Sequence, residues 1–509
     1  MKENKFLKYF LLIWGGAQAA MLAYVFYYHY FCMDHVEHLH AAWLIWQGEI
    51  PYRDFFEHHN PLFWYMIAPI VAAFYNNALI LYVSRVIALC GHIFMLAGLY
   101  RLCRDFMAVP RKVFWLGVLL YLLLYDNTYI LFEMQPDGYM WGCFLWGLRQ
   151  YFFFINAGRD GQGAHIRNAY ILFFLSFLFL QKILLLLFFV GLHALYLMKK
   201  RAINTAAAMK ALVWPTAGAL LFLLYLRYTN CWDLYFLFNY DLNMWMQDVM
   251  GNARIFQTWY IVSALPVCAI LTLHYFLRGG NRYRNLLSGL MFAEFIGKML
   301  IGAPYVQYFI FSNLLSALVV ADYLAGYSGK WWGKALLLSA VAGGLFLFWR
   351  HPPNTQYPRY YTVHDYIMRN ARENEPIINS VIFFFNIYGR NPAYYWFGYG
   401  NVAQVAQYVY GIGEPFDLNK MIYENRPKFV YATEYVNMLM QENIKDLPGY
   451  RQELGKMWDK LPEKRESRAD FIRRFTAVSF GAPDMRLLRA FYKMTPYPPL
   501  LVRKDLSAK

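Results

Sequence analysis

The chain of 509 residues is 59% hydrophobic and only 16% charged, with aromatic side chains at 20% and a mean hydropathy of +0.26. Soluble chains run at about 45–50% apolar and about 25% charged, so a soluble enzyme, a disordered chain, a collagen-like repeat and a small disulfide-stapled fold are excluded. The net charge of +16 is scattered into short loops between apolar runs, which argues against a nucleic-acid partner and for the loop charge bias of a polytopic membrane protein.

A spanning helix needs about 20 apolar residues. The chain offers about eleven such transmembrane helices, near 7–31, 78–100, 113–129, 137–156, 168–181, 182–198, 211–228, 258–277, 286–302, 304–326 and 333–349. The basic clusters Lys2/Lys5/Lys8, Arg101/Arg104/Arg111/Lys112, Arg159/Arg167, Lys199/Lys200/Arg201/Lys210, Arg278/Arg282/Arg284 and Lys330/Lys334 all fall on one side if these spans cross and 61–76 does not. That side is the cytoplasm. The amino terminus is then inside and everything beyond Arg350 outside. Asn60–Tyr75, broken by Pro61 and Pro69, reads as an interfacial or re-entrant segment. Ala17-Gln18-Ala19 has the small residues of a signal-peptide cleavage site, but Lys8 and the apolar run to Phe31 favour an uncleaved first span.

The predicted domains are a membrane body over 1–350, with a first outer loop at 32–77, and an external α/β domain over 351–509. The tail alternates polar helical stretches with strand-like runs at 381–385, 428–431 and 500–502. Its Gly398-Tyr399-Gly400-Asn401-Val402-Ala403 satisfies a G-x-G-x-x-A pattern, but a lone match on the outer side is weak. No nucleotide cofactor is expected. The six cysteines form no C-x-x-C, and spacing leaves open whether Cys32 and Cys231 are bonded.

Outside, the charge reverses. Between Cys32 and Asn60 stand Asp34, Glu37, Glu49, Asp54 and Glu57 against the single base Arg53. Residues 34–46 read as an amphipathic helix: Asp34, Glu37 and His38 on a face toward a polar cavity, Leu39, Trp43 and Trp46 on a face toward the headgroups. Asp54-Phe55-Phe56-Glu57-His58 repeats the D-x-x-E-H spacing. Two chemistries fit. A carboxylate at the membrane surface can act as a general base. Alternatively, Asp54, Glu57, His38 and His58 can bind substrate or supply oxygen and imidazole ligands to a divalent metal ion. The two are compatible, and the spacings match no closed zinc motif.

The run Asp34…Glu37, followed by Gln47-Gly48-Glu49-Ile50-Pro51-Tyr52-Arg53-Asp54-Phe55-Phe56-Glu57-His58-His59-Asn60-Pro61-Leu62, resembles the first periplasmic loop of family-39-type GT-C glycosyltransferases. These are relatives of the lipid A aminoarabinose transferases and the protein O-mannosyltransferases. The resemblance is densest over 34–64, with weaker points at Arg85, Glu133–Asp137, Gln181-Lys182 and Pro304–Tyr308. It implies a GT-C membrane body, a polyprenyl-phosphate-linked sugar donor, and residence in the inner membrane of a bacterium with the tail in the periplasm. It also implies an acidic base in the first loop, at Asp34. Many members carry an adjacent Asp-Glu pair there, whereas here His35 follows Asp34 and the second acid is Glu37.

A lipid phosphate needs cations and hydroxyls near the outer face. Lys182 and Arg85 are the candidate cations, Tyr305 and Tyr308 the candidate hydroxyls, and Asp137 resembles the family's second-loop acid. Each has a plainer role beside it: snorkelling for Lys182, an ion pair for Arg85, an aromatic belt for the tyrosines and a helix-dipole acid for Asp137. The expected activity is an inverting transfer of sugar to lipid A, another glycan or protein. The alternatives are a transporter or flippase of lipid-linked sugars and a metal-dependent membrane hydrolase. The absence of an internal repeat weighs against transport.

Overall fold

The computed structural model describes residues 5–29, 31, 33–123, 125–160, 163–243, 281–299, 306–350, 357–371, 375, 377–379, 387–389, 423–424 and 426–431, with 452, 455, 458–459, 467–470, 490–496 and 500–506 in the last sixty. Helices dominate. In order they are Lys5–Tyr28 (α1), Met33–Trp46 (α2), Leu62–Ala73 (α3), Ile80–Phe106 (α4), Arg111–Tyr121 (α5), Tyr125–Ile130 (α6), Asp137–Asn156 (α7), Gly163–Phe179 (α8), Leu184–Lys199 (α9), Thr205–Ala211 (α10), Val213–Tyr228 (α11), Trp232–Phe236 (α12), Arg282–Met299 (α13), Ile310–Tyr327 (α14), Trp331–Arg350 (α15) and Tyr357–Asn370 (α16).

Among the described residues, six helical segments are long and apolar enough to cross a membrane: Lys5–Tyr28, Ile80–Phe106, Gln181–Lys199, Thr205–Tyr228, Ile310–Tyr327 and Trp331–Arg350. The expected span at 258–277 lies outside the described residues. The expected span at 113–129 is two helices rather than one. Asn127 Nδ2 donates to Tyr121 O (2.8 Å) and Thr128 Oγ1 to Leu122 O (2.9 Å). Side chains thus take the carbonyls that would otherwise continue the helix. The apolar stretch after Pro61 forms only the 12-residue α3 with Pro69 inside it, too short to span.

The chain divides into two compact units: Met1–His29, Arg85–Tyr225 and Met250–Thr355 in the first, Tyr30–Ser84, Leu226–Val249 and Gln356–Lys509 in the second. In the first, Leu7, Phe10 and Trp14 of α1 pack with Val113, Leu116, Ala321 and Leu337. Glycine sets one crossing. A Cβ on Gly138 would lie 2.7 Å from the Gly91 carbonyl carbon, and one on Gly142 would strike the Phe94 ring at 2.1 Å. Close backbone approach through small residues is how membrane helices gain packing without a hydrophobic driving force, and here it fixes the amino-terminal end of α7 against α4.

In the second unit, Ile377–Asn379 (β1), Phe429–Tyr431 (β2), Tyr492–Met494 (β3) and Leu500–Arg503 (β4) form a sheet of order β1-β2-β4-β3. β1 and β2 are parallel and the other pairings antiparallel, with Val430 opposite Leu501. Val363 and Ile367 of α16 cover Phe429, Leu500 and Val502. Two of the strand-like runs read from sequence are β2 and β4; 381–385 and the glycine pattern at 398–403 fall outside the described residues.

Candidate functional site

In the second unit α2 and α3 pack together, joined by the connection 47–61. Gly48 and Tyr52 both adopt left-handed backbone, at φ 92° and 69°, costly for a tyrosine unless its surroundings hold it there. They do. Tyr52 is fully buried, its hydroxyl donates to His59 O (2.5 Å), and its ring meets Tyr235 edge-on. Tyr235 donates to Asn60 Oδ1 (2.8 Å), and the thiol of Cys231 to Pro51 O (3.3 Å). The His59 carbonyl and the Asn60 side chain are therefore both held by tyrosine hydroxyls. Cys231 is a free thiol, and Cys32 lies outside the described residues.

This clamp brings Glu57, His58 and His59 beneath α2. His59 Nδ1 lies 3.9 Å from Glu37 Oε1 and 3.8 Å from Glu57 Oε2. Ligating atoms of Glu37, His58 and His59 all lie within 4.8 Å of one another. Glu37 and Glu57 are 2% and 0% exposed, and no donor meets Glu37 Oε1 or either oxygen of Glu57 in full hydrogen-bond geometry. Burial pushes the Glu37 carboxyl well above its usual range, and the charges of Glu57 and then Asp34 push the same way. Burial raises Glu57 as well, against opposing hydrogen bonds. Burial holds His38 down to about 3, aided by the charge of His58, and holds His58 down to about 4 against a hydrogen bond with the Asn243 side chain. Both imidazoles are neutral at pH 7. The cluster is thus two buried carboxyls faced by neutral rings.

The sequence-predicted residues separate here. Asp34 stands half-buried in the first turn of α2, one turn before Glu37. His38 accepts the indole N–H of Trp64 at Nδ1 (2.9 Å), which fixes its ring. Asp54 turns away: it accepts from Ile50 N (2.8 Å) and from Arg53 at 2.7 Å. Burial disfavours its charge, but the Arg53 bond, the Ile50 amide and the Arg53 charge outweigh that and lower its pKa. It is a turn residue. His59 was not singled out by spacing, although it stands in the same Glu57-His58-His59 run; the turn geometry that aims its ring back at Glu37 has no sequence signal.

The second stripe of α2 departs from the expectation of a headgroup-facing surface. Leu39 is fully buried, and Trp43 stacks on Tyr75 (5.2 Å) and meets Tyr388 edge-on (5.1 Å). Tyr388 donates to Phe74 O (2.7 Å), and His40 Nδ1 donates to Ile387 O (2.9 Å). A tail segment thus covers the face assigned to lipid; Trp46 alone of that stripe is exposed.

In the first unit a second polar cluster forms. Pro136 leads into α7, so Asp137 enters its first turn and complements the helix dipole. Asp137 is buried and ion-paired to Lys182, which sits on the 3₁₀ turn Gln181–Ile183 ahead of α9. The Lys182 ammonium also lies 4.7 Å from the centre of the Tyr308 ring, a cation–π distance. Lys182 therefore touches two other predicted residues, Asp137 and Tyr308. Tyr305 lies outside the described residues. Arg85 is elsewhere: its guanidinium donates to Phe26 O, His29 O and Val25 O, capping the carboxyl end of α1. Those bonds compete with any role on a phosphate. Glu294 accepts from Ser312 Oγ (2.6 Å).

No family model matches the chain, and no curated protein sequence matches it. Solved structures that the chain matches include two of one protein. The crystal structure of ArnT from Cupriavidus metallidurans bound to undecaprenyl phosphate has a TM-score of 0.48 at 13% identity, with 70% of each chain covered. The same protein in the apo state has a TM-score of 0.46 at 15% identity, covering 70% of this chain and 69% of that one.

Proposed function

We propose that this protein is an inverting glycosyltransferase that moves a sugar from a polyprenyl-phosphate donor to an envelope acceptor at the outer face of a bacterial inner membrane. The observation that carries this reading is the Asp137–Lys182–Tyr308 contact, at helix ends that the loop charge bias assigns to the outside. An ammonium kept in place by one buried carboxylate and one aromatic face is preorganised for a second anion, and a lipid phosphate supplies it. As the anomeric carbon–oxygen bond to phosphate breaks, charge grows on the leaving phosphate and Lys182 stabilises it, with Tyr308 beside it. The acceptor's hydroxyl or amine attacks from the opposite face. Its proton passes to Asp34, the acid whose position matches the first-loop base of the resembled family. Glu37 orients substrate or a metal ion. The acceptor is lipid A, another glycan or a protein; membrane lipids surround the body, and nucleic acid has no part.

These roles separate in a binding-and-turnover experiment on purified protein in lipid nanodiscs. Lys182→Ala is expected to weaken binding of undecaprenyl phosphate about tenfold, the loss of one charge-assisted contact. Asp34→Asn is expected to bind it as the wild type does and to lose turnover. Unaltered affinity in Lys182→Ala would remove the phosphate assignment, and retained turnover in Asp34→Asn would remove Asp34 as base.

A further inference from the structure

Two carboxylates, Glu37 and Glu57, are taken almost wholly out of water within one cluster, and three of their four oxygens meet no donor in full hydrogen-bond geometry. An uncompensated buried carboxylate costs several kcal/mol, and two neighbours add mutual repulsion. Protons relieve this charge, and so does a cation held between the carboxylates and the imidazoles that face them. The surroundings are those of a ligand set rather than of a counter-ion: among the described residues no lysine or arginine pairs with Glu37 or Glu57, and imidazoles face them instead.

We infer that Glu37, His58 and His59 form a binding site for a borderline divalent metal ion of the zinc class, with Glu57 as the fourth ligand. Zinc at bond lengths of about 2.0–2.2 Å holds its tetrahedral ligand atoms about 3.4 Å apart. His59 Nδ1 already lies 3.9 Å from Glu37 Oε1 and 3.8 Å from Glu57 Oε2. Glu37, His58 and His59 offer ligand atoms within 4.8 Å of one another, and side-chain rotation closes the set and brings in Glu57. The backbone that carries His59 is already fixed by Tyr52, as a metal site requires of its supporting shell. Two imidazoles and two carboxylates select zinc-like ions over magnesium, which prefers an octahedron of oxygens and keeps its waters. His38 is outside the set, because its Nδ1 accepts the Trp64 N–H. The inference stands apart from the transferase reading: it rests on the cluster alone and needs no substrate.

The test uses the full-length protein in detergent, stripped with chelator and then titrated with Zn²⁺, Co²⁺ or Mg²⁺ by calorimetry, with metal content measured after desalting. One Zn²⁺ per chain is expected, with a rise in Tm and, for Co²⁺, the visible bands of tetrahedral coordination. Glu37→Gln, which keeps the side chain's shape, and His58→Ala are each expected to weaken Zn²⁺ at least tenfold, whereas His38→Gln binds as the wild type does. His59→Asn serves as the second ligand variant if either of the first two fails to elute as a folded protein. Overturning results are no Zn²⁺ bound by the wild type, affinity unmoved by the ligand variants, or Mg²⁺ binding as tightly as Zn²⁺. Loss of Zn²⁺ binding with turnover retained would leave the transferase reading intact, so the two claims fail separately.

Discussion

His38 shows how one side chain ties packing to pH. Its Nδ1 accepts the Trp64 indole N–H only while the ring is neutral, and burial holds its pKa near 3. Below the unfolded value of about 6.5, the unfolded chain takes a proton that the folded chain refuses. Stability from this group is complete above that value and is lost as pH falls toward 3. The cost reaches about 1.4 kcal/mol at pH 5.5. His58 acts in the same sense, whereas Glu37 and Glu57, raised by burial, act in the opposite one. A comparison with His38→Gln, whose amide oxygen can still accept from Trp64, isolates the His38 part: the drop in Tm between pH 7.5 and 5.5 should shrink by a few degrees. An unchanged drop would place the pH sensitivity elsewhere. The Asp137–Lys182 pair makes a second residue-scale prediction. Lys182→Met leaves a buried carboxylate without its partner and should cost about 3–5 kcal/mol. Adding Asp137→Asn should return most of that loss in thermal unfolding, and additive losses would contradict a paired state.

At the scale of elements, the glycines of the α4–α7 crossing decide where Asp137 sits. A methyl on Gly138 would lie 2.7 Å from the Gly91 carbonyl carbon and 2.8 Å from the His92 nitrogen, both backbone atoms that no rotamer can move. Gly138→Ala should therefore push the two helices apart, lower Tm by several degrees and reduce donor turnover through Asp137. Wild-type stability and turnover in this variant would show that the crossing is loose. Helix positions were largely legible from apolar length, because each stretch from Lys5 to Arg350 that reads as a span and falls among the described residues contains a helix. Helix breaks were less so. The division between α5 and α6 depends on Asn127 and Thr128 folding back on carbonyls, whereas hydropathy averages over both residues. The burial of Trp43 by Tyr388 joins residues 345 positions apart, and no local pattern carries such a contact.

For the molecule as a whole, linear reading divides the chain at residue 350, while packing gathers residues 30–84, 226–249 and 356–509 into one unit. The bonds of His40 to Ile387 and of Tyr388 to Phe74 show why: tail backbone and side chains satisfy groups on α2 and at the end of α3. The candidate site was legible as residue types, with acids and imidazoles at 34–58 and a cation at 182. Its groupings were not, since Asp54 turned to Arg53, Arg85 turned to the end of α1, and His59 joined Glu37. The central claim is the chemistry, and release of polyprenyl phosphate measures it most directly. Purified protein in lipid would be given radiolabelled polyprenyl-phosphate sugars and a crude envelope extract as acceptor, wild type beside Asp34→Asn. Donor-dependent release of polyprenyl phosphate, lost in Asp34→Asn, is the predicted result. No release by the wild type from any donor would contradict the transferase account, and the labelled lipid should then be followed across the bilayer.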